Sequence, residues 1–241
     1  MSELEIRNRM GERLLAAQTP LGRIRLNFYV HWKRAAWNFA TGFAFFLKRV
    51  FDIIVSLIAL SLLAPVFIAI AIAVKLDGGP IFFRQTRFGL HGREFGMLKY
   101  RSMCVNAEGQ LNELLARNEK KEGITFKIKD DPRVTRIGYW LRRYSLDELP
   151  QFYNVLIGDM SLVGPRPPVP REVALYSLAD RRRLAVKPGI TCVWQISGRA
   201  EIDFPAQVLL DVNYIESQSL GQDLRILAKT PKAVVFGSGA Y

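Results

Sequence analysis

Residues 53–74, IIVSLIALSLLAPVFIAIAIAV, carry no charged side chain from end to end. A helix of that length, rising 1.5 Å per residue, reaches across a hydrocarbon core of about 30 Å. A signal peptide does not fit, because the run starts late and no small-residue cleavage site follows it. Pro65 stands mid-run, where it removes a hydrogen bond and kinks the helix. Both flanks are basic, with Lys48 and Arg49 before and Lys75, Arg84 and Arg87 after. Orientation of a crossing helix follows from asymmetry in flanking Lys and Arg, and these flanks supply none. The pattern predicts a helix that enters a membrane, bends at Ala64–Pro65 and leaves by the same face. A transmembrane helix with a tolerated proline stays open as the alternative.

Upstream, Trp32, Ala36, Phe39, Phe43 and Phe46 recur at helical spacing. Trp, Phe and Lys on such a helix suit the headgroup boundary; packing on a protein core is the competing reading. After residue 76 the composition becomes that of a soluble domain. This divides the chain into an N-terminal extension with an interfacial amphipathic helix (1–47), the re-entrant helix (48–76) and a polar domain (77–241).

Charge bounds the function. The 34 Lys and Arg outnumber 22 Asp and Glu, giving a formal charge of +12. Such an excess points to phosphates: nucleotide, anionic lipid or nucleic acid. Cys104 and Cys192 are too few for a disulfide framework or a thiolate zinc site, and His31 and His91 cannot build a histidine-rich one. A metal here would be oxygen-ligated, such as Mg²⁺. No Walker loop and no G-x-G-x-x-G after a strand occurs.

Within the polar part, residues 80–103 read as two short strands around a Gly89–Gly92 turn. Helices are expected over 107–120, from about Thr135, over Ser145–Ile157, over 171–186, over 204–217 and over 222–236. The fold class is α+β and predominantly helical: the Pro-kinked helix plus a small domain with a β-hairpin and amphipathic helices.

In YSLDELPQFYN, residues 144–154, the adjacent carboxylates Asp147 and Glu148 follow a basic helix. Ser145 with Glu148 makes an S-x-x-E capping box, but Pro150 would then fall where an N–H is wanted. With Asp147 as the cap, Pro150 falls at the third position and costs nothing. Both readings place the carboxylates at a helix N-terminus, which favours anions and lowers a carboxylate pKa. Cap and nucleophile are equally served by these residues. Arg166, between Pro165 and Pro167, is presented from a stiff loop and can grip two phosphate oxygens. Lys187 and Arg199 bracket a segment with Trp194, a candidate for stacking on a base or for core packing, and Lys99 ends a strand.

Together the segments KRVFDIIVSLIALSLLAPVFIAIAIAVK, MLKYRSM, DDPRVTRIGYWLRRYSLDELPQFYNVLIGDMSLVGPRP, KPGITCVWQISGR and LLDVNYIES resemble the bacterial sugar transferase family. These are small monotopic phosphoglycosyl transferases of the exopolysaccharide type, and the resemblance runs from about Lys48 to the C-terminus. It implies transfer of sugar-1-phosphate from a nucleotide diphosphate sugar, UDP-galactose or UDP-glucose, to undecaprenyl phosphate, with release of UMP. It makes Asp147 the nucleophile of a covalent phospho-sugar intermediate, assisted by Mg²⁺. Glu148 would bind the metal or deprotonate the lipid phosphate, two roles left open. Lys99, Arg142, Arg166 and Arg199 match the family's phosphate-binding positions, and Asp211 and Asp223 match late acidic ones. The family's Ser-Pro helix break is Ala64–Pro65 here, and its Pro-Gly-Ile-Thr-Gly ends in Cys192 instead of glycine. The GSGAY ending resembles members that start chains with galactose or glucose. The implied location is the bacterial inner membrane, with the catalytic domain on its cytoplasmic face, and a homo-oligomer is compatible with it. A membrane-anchored scaffold that binds anionic lipid is the rival reading. A nucleic-acid binder has only the basic charge in its favour and lacks a recognisable module.

Overall fold

The computed structural model describes Leu15 and residues 18–110, 131–198 and 202–236. Arg199, residues 111–120 of the helix expected at 107–120, and the GSGAY ending lie outside them. The chain divides into two compact units, Met1–Lys48 and Arg49–Tyr241.

One helix, α1, runs from Pro20 to Leu62 and is continuous through the 47/48 position. In its first part Trp32, Trp37, Phe39, Phe43, Phe45 and Phe46 are all exposed, with Phe39 stacked on Phe43 at 6.3 Å. The second helix, α2 (Ala64–Leu76), is bent by 63° from α1. The bend falls at Leu63, one residue before the expected Ala64–Pro65. The reason is local: Pro65 lies in the first turn of α2, where the missing N–H has no helical partner to lose. Among the described residues no single helix is long and apolar enough to cross a membrane, whereas this bent pair taken together has the length and composition of a broken span or a re-entrant loop. Ile54, Ile58, Leu62, Ile68 and Ile72 on it are exposed.

Both legs of the bend are fastened to the polar domain. On the first, Arg49 donates to the carbonyls of Val155 and Leu156 at 2.6 and 2.7 Å, and buried Asp52 accepts from Leu162 N–H at 3.1 Å. On the second, the Tyr100 hydroxyl donates to Phe67 O at 2.9 Å, and Arg101 donates to Val74 O at 2.9 Å. Arg49, read from sequence as a membrane-flanking charge, instead satisfies carbonyls at the C-terminus of a short helix.

The hairpin forms as expected. Strands β1 (Phe82–Phe88) and β2 (Glu94–Tyr100) pair antiparallel, with Phe83 opposite Lys99, Gln85 opposite Met97 and Arg87 opposite Phe95. Helix α3 (Arg136–Arg143) starts at its cap Thr135, whose hydroxyl accepts from Gly138 N–H at 3.0 Å. The single helix expected over Ser145–Ile157 is instead a 3₁₀ turn, Leu146–Glu148, followed by α4, Gln151–Ile157. The helix expected over 171–186 is likewise split into α5 (Pro170–Val173) and a 3₁₀ turn at Asp180–Ala185. A parallel pair absent from the sequence reading, β3 (Ser161–Val163) with β4 (Gly189–Thr191), underlies the Gly-Pro-Arg-Pro loop. Helices α6 (Val193–Ser197), α7 (Phe204–Glu216) and α8 (Leu220–Phe236) complete the element order. Val155, Met160, Leu162, Val163, Tyr214 and Ile226 form the main core between α4, β3, α7 and α8.

Asn154, buried to 1% exposure, joins α4 to the free edge of β2. Its Oδ1 accepts from Leu98 N–H and its Nδ2 donates to Gly96 O, both at 2.9 Å, as a neighbouring strand would. This sets the strand that carries Lys99 against the segment that carries the acidic pair.

Candidate active site

Ser145 decides how the acidic pair is held. Its φ of 54° is left-handed, and its N–H bonds back to Arg142 O at 3.1 Å. It therefore terminates α3 in the position usually given to glycine, and its side chain caps nothing. Neither capping reading survives. The carboxylates sit on a tight turn between two helices, and Pro150 precedes α4 without removing a bond from it.

The turn faces a cleft bordered by Arg87, Lys99, Glu148, Gln151, Arg166 and Gln195 among others. Lys99 Nζ donates to Glu148 Oε1 at 2.6 Å. Burial works to raise the Glu148 carboxyl, but Lys99, with Arg166 and Arg87 further off, outweighs it and holds Glu148 below the usual range. Asp147 is 7% exposed, feels the charges of Lys99 and Arg142, and is not one of the residues that border the cleft. Its burial, reinforced by Glu148, pushes its carboxyl up to about 6 against the pull of Lys99 and Arg142. The lowered value expected of a helix N-terminus is thus reversed, because desolvation dominates and α4 does not begin there.

Arg166 is exposed between buried Pro165 and Pro167. The loop stands on a close backbone crossing: a side chain at Gly164 would meet Lys187 O at 2.4 Å, and one at Gly189 would meet Gly164 N at 2.1 Å. Gly189 N–H donates to Pro165 O at 2.9 Å and fixes the crossing. From the hairpin, buried Arg87 donates to Pro167 O at 2.8 Å and to Gln85 Oε1. Burial, then Arg166, pushes its guanidinium down to about 9. It remains charged at neutral pH, a poorly solvated cation beside the cleft.

Arg87 was missed by reading it as a membrane flank. Strand alternation held the signal: Phe83, Gln85 and Arg87 share one face, and the hairpin register puts Lys99 on it. Two further candidates fall elsewhere. Asp211 pairs with Arg183 at 2.7 Å inside the cluster of Tyr176, Phe204 and Val208. Asp223 accepts from the Tyr214 hydroxyl at 2.7 Å in the core. Trp194, at 6% exposure, has no face free to stack on a base. Cys192 takes ordinary extended backbone (φ −144°) and is buried, so the position does not require glycine.

Among the described residues no group of three or more His, Cys, Asp or Glu side chains could hold a metal. Asp147 and Glu148 are the carboxylates at hand. Two carboxylates suit Mg²⁺, which usually takes one or two from protein and the rest from substrate phosphates and water.

A family model described as bacterial sugar transferase matches residues 43–237. The chain belongs to the bacterial sugar transferase family. Among curated family members, the galactosyl transferase CpsE of Streptococcus agalactiae is 49% identical over 194 residues, covering 80% of this chain and 43% of its own length. The undecaprenyl-phosphate galactose phosphotransferase of Salmonella typhimurium is 44% identical over 207 residues, covering 85% and 44%. The exopolysaccharide production protein ExoY of Sinorhizobium fredii is 42% identical over 198 residues, covering 80% and 88%. The chain spans less than half the length of the first two relatives and most of the third.

Proposed function

We propose that this protein transfers sugar-1-phosphate from a nucleotide diphosphate sugar, UDP-galactose or UDP-glucose, to undecaprenyl phosphate at the inner membrane, starting an exopolysaccharide-type glycan. The observation that carries the reading is the cleft in which Lys99, Arg87 and Arg166 gather at Glu148, the chain neighbour of buried Asp147. Family membership and the activity for which the Salmonella relative is named support the substrates. Cations in surplus of carboxylates suit a diphosphate, and arginine binds such oxygens in pairs.

In the first step an Asp147 carboxylate oxygen bonds to the sugar-bearing phosphorus. The phosphoanhydride bond breaks, and the nucleoside monophosphate leaves with its electron pair. In the second step a phosphate oxygen of undecaprenyl phosphate attacks the same phosphorus, and the Asp147–phosphorus bond breaks to restore the carboxylate. Arg166 and Arg87 offset phosphate charge through both steps. Lys99 holds Glu148 ionised, ready to take the proton of the lipid phosphate. Mg²⁺ on Asp147 and Glu148 would neutralise the diphosphate and lower the Asp147 pKa. The tethering of both legs of the bent helix to one domain supports a re-entrant membrane anchor, which would hold this cleft at the cytoplasmic surface where the acceptor phosphate lies.

One observation favours a second assignment of the nucleophile: of the two carboxylates, Glu148 borders the cleft. The test is a panel of UDP-sugars with undecaprenyl phosphate and Mg²⁺, reading released UMP and the intact mass of the protein. We expect UMP release and a phospho-sugar adduct that Asp147→Asn abolishes. An adduct retained in Asp147→Asn and lost in Glu148→Gln would reverse the assignment. Lipid binding without UMP release from any sugar would favour the scaffold.

A further inference from the structure

Gln195, on α6, borders the cleft together with Gly189 and Ile190. Its Oε1 is buried and has no hydrogen-bond partner among the described residues. A buried acceptor without a donor is destabilising, so a bound donor is favoured at this position. The other polar groups of the cleft are differently matched. Lys99 is paired to Glu148, Arg87 to Gln85 and Pro167, and the cations are donors suited to phosphate. A carboxamide oxygen accepts only, and it cannot bond to an ionised phosphate oxygen. Its partner must be an N–H or O–H, and the cleft's own cations are already turned to Glu148, Gln85 and Pro167 or suited to phosphate. Undecaprenyl phosphate, a phosphate on a hydrocarbon chain, offers one only while its phosphate is protonated. A nucleotide sugar has two kinds: sugar hydroxyls and, on uracil, the ring N–H.

Resting on the function proposed above, we infer that Gln195 is the residue by which the cleft reads a neutral hydrogen-bond donor on the nucleotide sugar. It is held for that role. Helix α6 follows β4 directly, and β4 is bonded to the Arg166 loop through Gly189 N–H and Pro165 O at 2.9 Å. The group that reads the donor and the group that grips phosphate therefore share one frame. Gln195 sets specificity and takes no part in bond making.

The test compares the wild-type protein with Gln195→Met, which keeps the side chain's length and removes both polar atoms. KM for the UDP-sugar is expected to rise about tenfold, near the worth of one hydrogen bond, with kcat within about twofold. KM for undecaprenyl phosphate and inhibition by inorganic pyrophosphate, which meets only the cations, stay unchanged. Substrate analogues carry the same question onto the wild-type protein, where folding is not at issue. UMP methylated on the ring nitrogen inhibits more weakly if the base is read; a UDP-sugar lacking one hydroxyl shows a raised KM if the sugar is read. The inference is overturned if wild-type turns over while neither class of analogue nor Gln195→Met changes affinity, or if the loss falls on kcat or on the lipid. A wild-type protein that releases no UMP from any sugar defeats the underlying function instead.

Discussion

Around Asp147 and Glu148 stand four cations, Lys99, Arg142, Arg166 and Arg87, whereas Asp211 faces one, Arg183. In the second centre Arg183 bonds Asp211 at 2.7 Å and the Tyr176 hydroxyl at 3.1 Å, and stacks on Phe204 at 5.6 Å. Every strong group there has a partner inside the protein. In the first centre the cations outnumber the carboxylates two to one, and Arg166 projects to solvent. Burial raises Asp147 and Asp211 alike, each to about 6. A perturbed pKa therefore does not separate the two centres. Charge balance does, because unmatched cations keep binding capacity for an anion that the protein does not supply.

The sharpest way to break the contrast is Asp147→Asn. Turnover should fall by about 10⁴-fold or more, since a lost nucleophile has no substitute. Stability should move the other way, and the sign follows from linkage. The folded chain holds the Asp147 proton to about pH 6, well above the ordinary aspartate value. Its favourable contribution is thus complete below about pH 4 and is lost as pH rises through about 6. Above that the buried charge destabilises the fold, and asparagine removes it. Thermal unfolding should show the variant more stable by about 2 kcal/mol at pH 8 and unchanged at pH 4. Equal stability at both values would mean that Asp147 is solvated.

Arg183→Ala probes the matched centre and should do the opposite. An uncompensated Asp211 charge in the core costs about 3–5 kcal/mol, while the folded fraction keeps its kcat/KM. Replacing both partners, Arg183→Met with Asp211→Leu, should recover most of the stability. Arg166→Lys returns to the surplus. It keeps the charge but loses paired contacts, so kcat/KM should fall about 10–100-fold with the melting temperature unchanged. A melting shift there would show that Arg166 holds its loop as well as a phosphate.

The difference between the centres also marks what the sequence made legible. The hairpin was readable because alternation and the Gly89–Gly92 turn are local, and so was the bent helix, whose signal is one proline in an uncharged run. Asp147, Glu148, Lys99 and Arg166 were singled out through motif order. Arg49 to Val155, Asp52 to Leu162 and Asn154 to Gly96 join residues far apart in the chain, and no periodicity announces such pairs. Asp211 and Asp223 matched acidic positions as well as Asp147 did; only their partners showed them to be structural. Gln195 carries no charge and offered no local signal.

The smallest expected effect concerns Ser145, where local pattern misled most directly. S-x-x-E reads as a helix start, yet the φ of 54° makes Ser145 the end of the helix before it. A left-handed residue with a Cβ costs roughly 1–2 kcal/mol, and glycine avoids this while losing roughly 0.5–1 kcal/mol in chain entropy. Ser145→Gly should therefore stabilise by about 0.5 kcal/mol and leave kcat/KM within about twofold. Ser145→Val should destabilise by about 2 kcal/mol, because a β-branched residue resists this conformation. It should also lower kcat, since the turn that it strains carries Asp147 and Glu148 two and three residues on. If Ser145 were an N-cap after all, glycine and valine would both destabilise, valine without a separate loss of kcat, and denaturant unfolding with turnover measured on the same preparations separates the two cases.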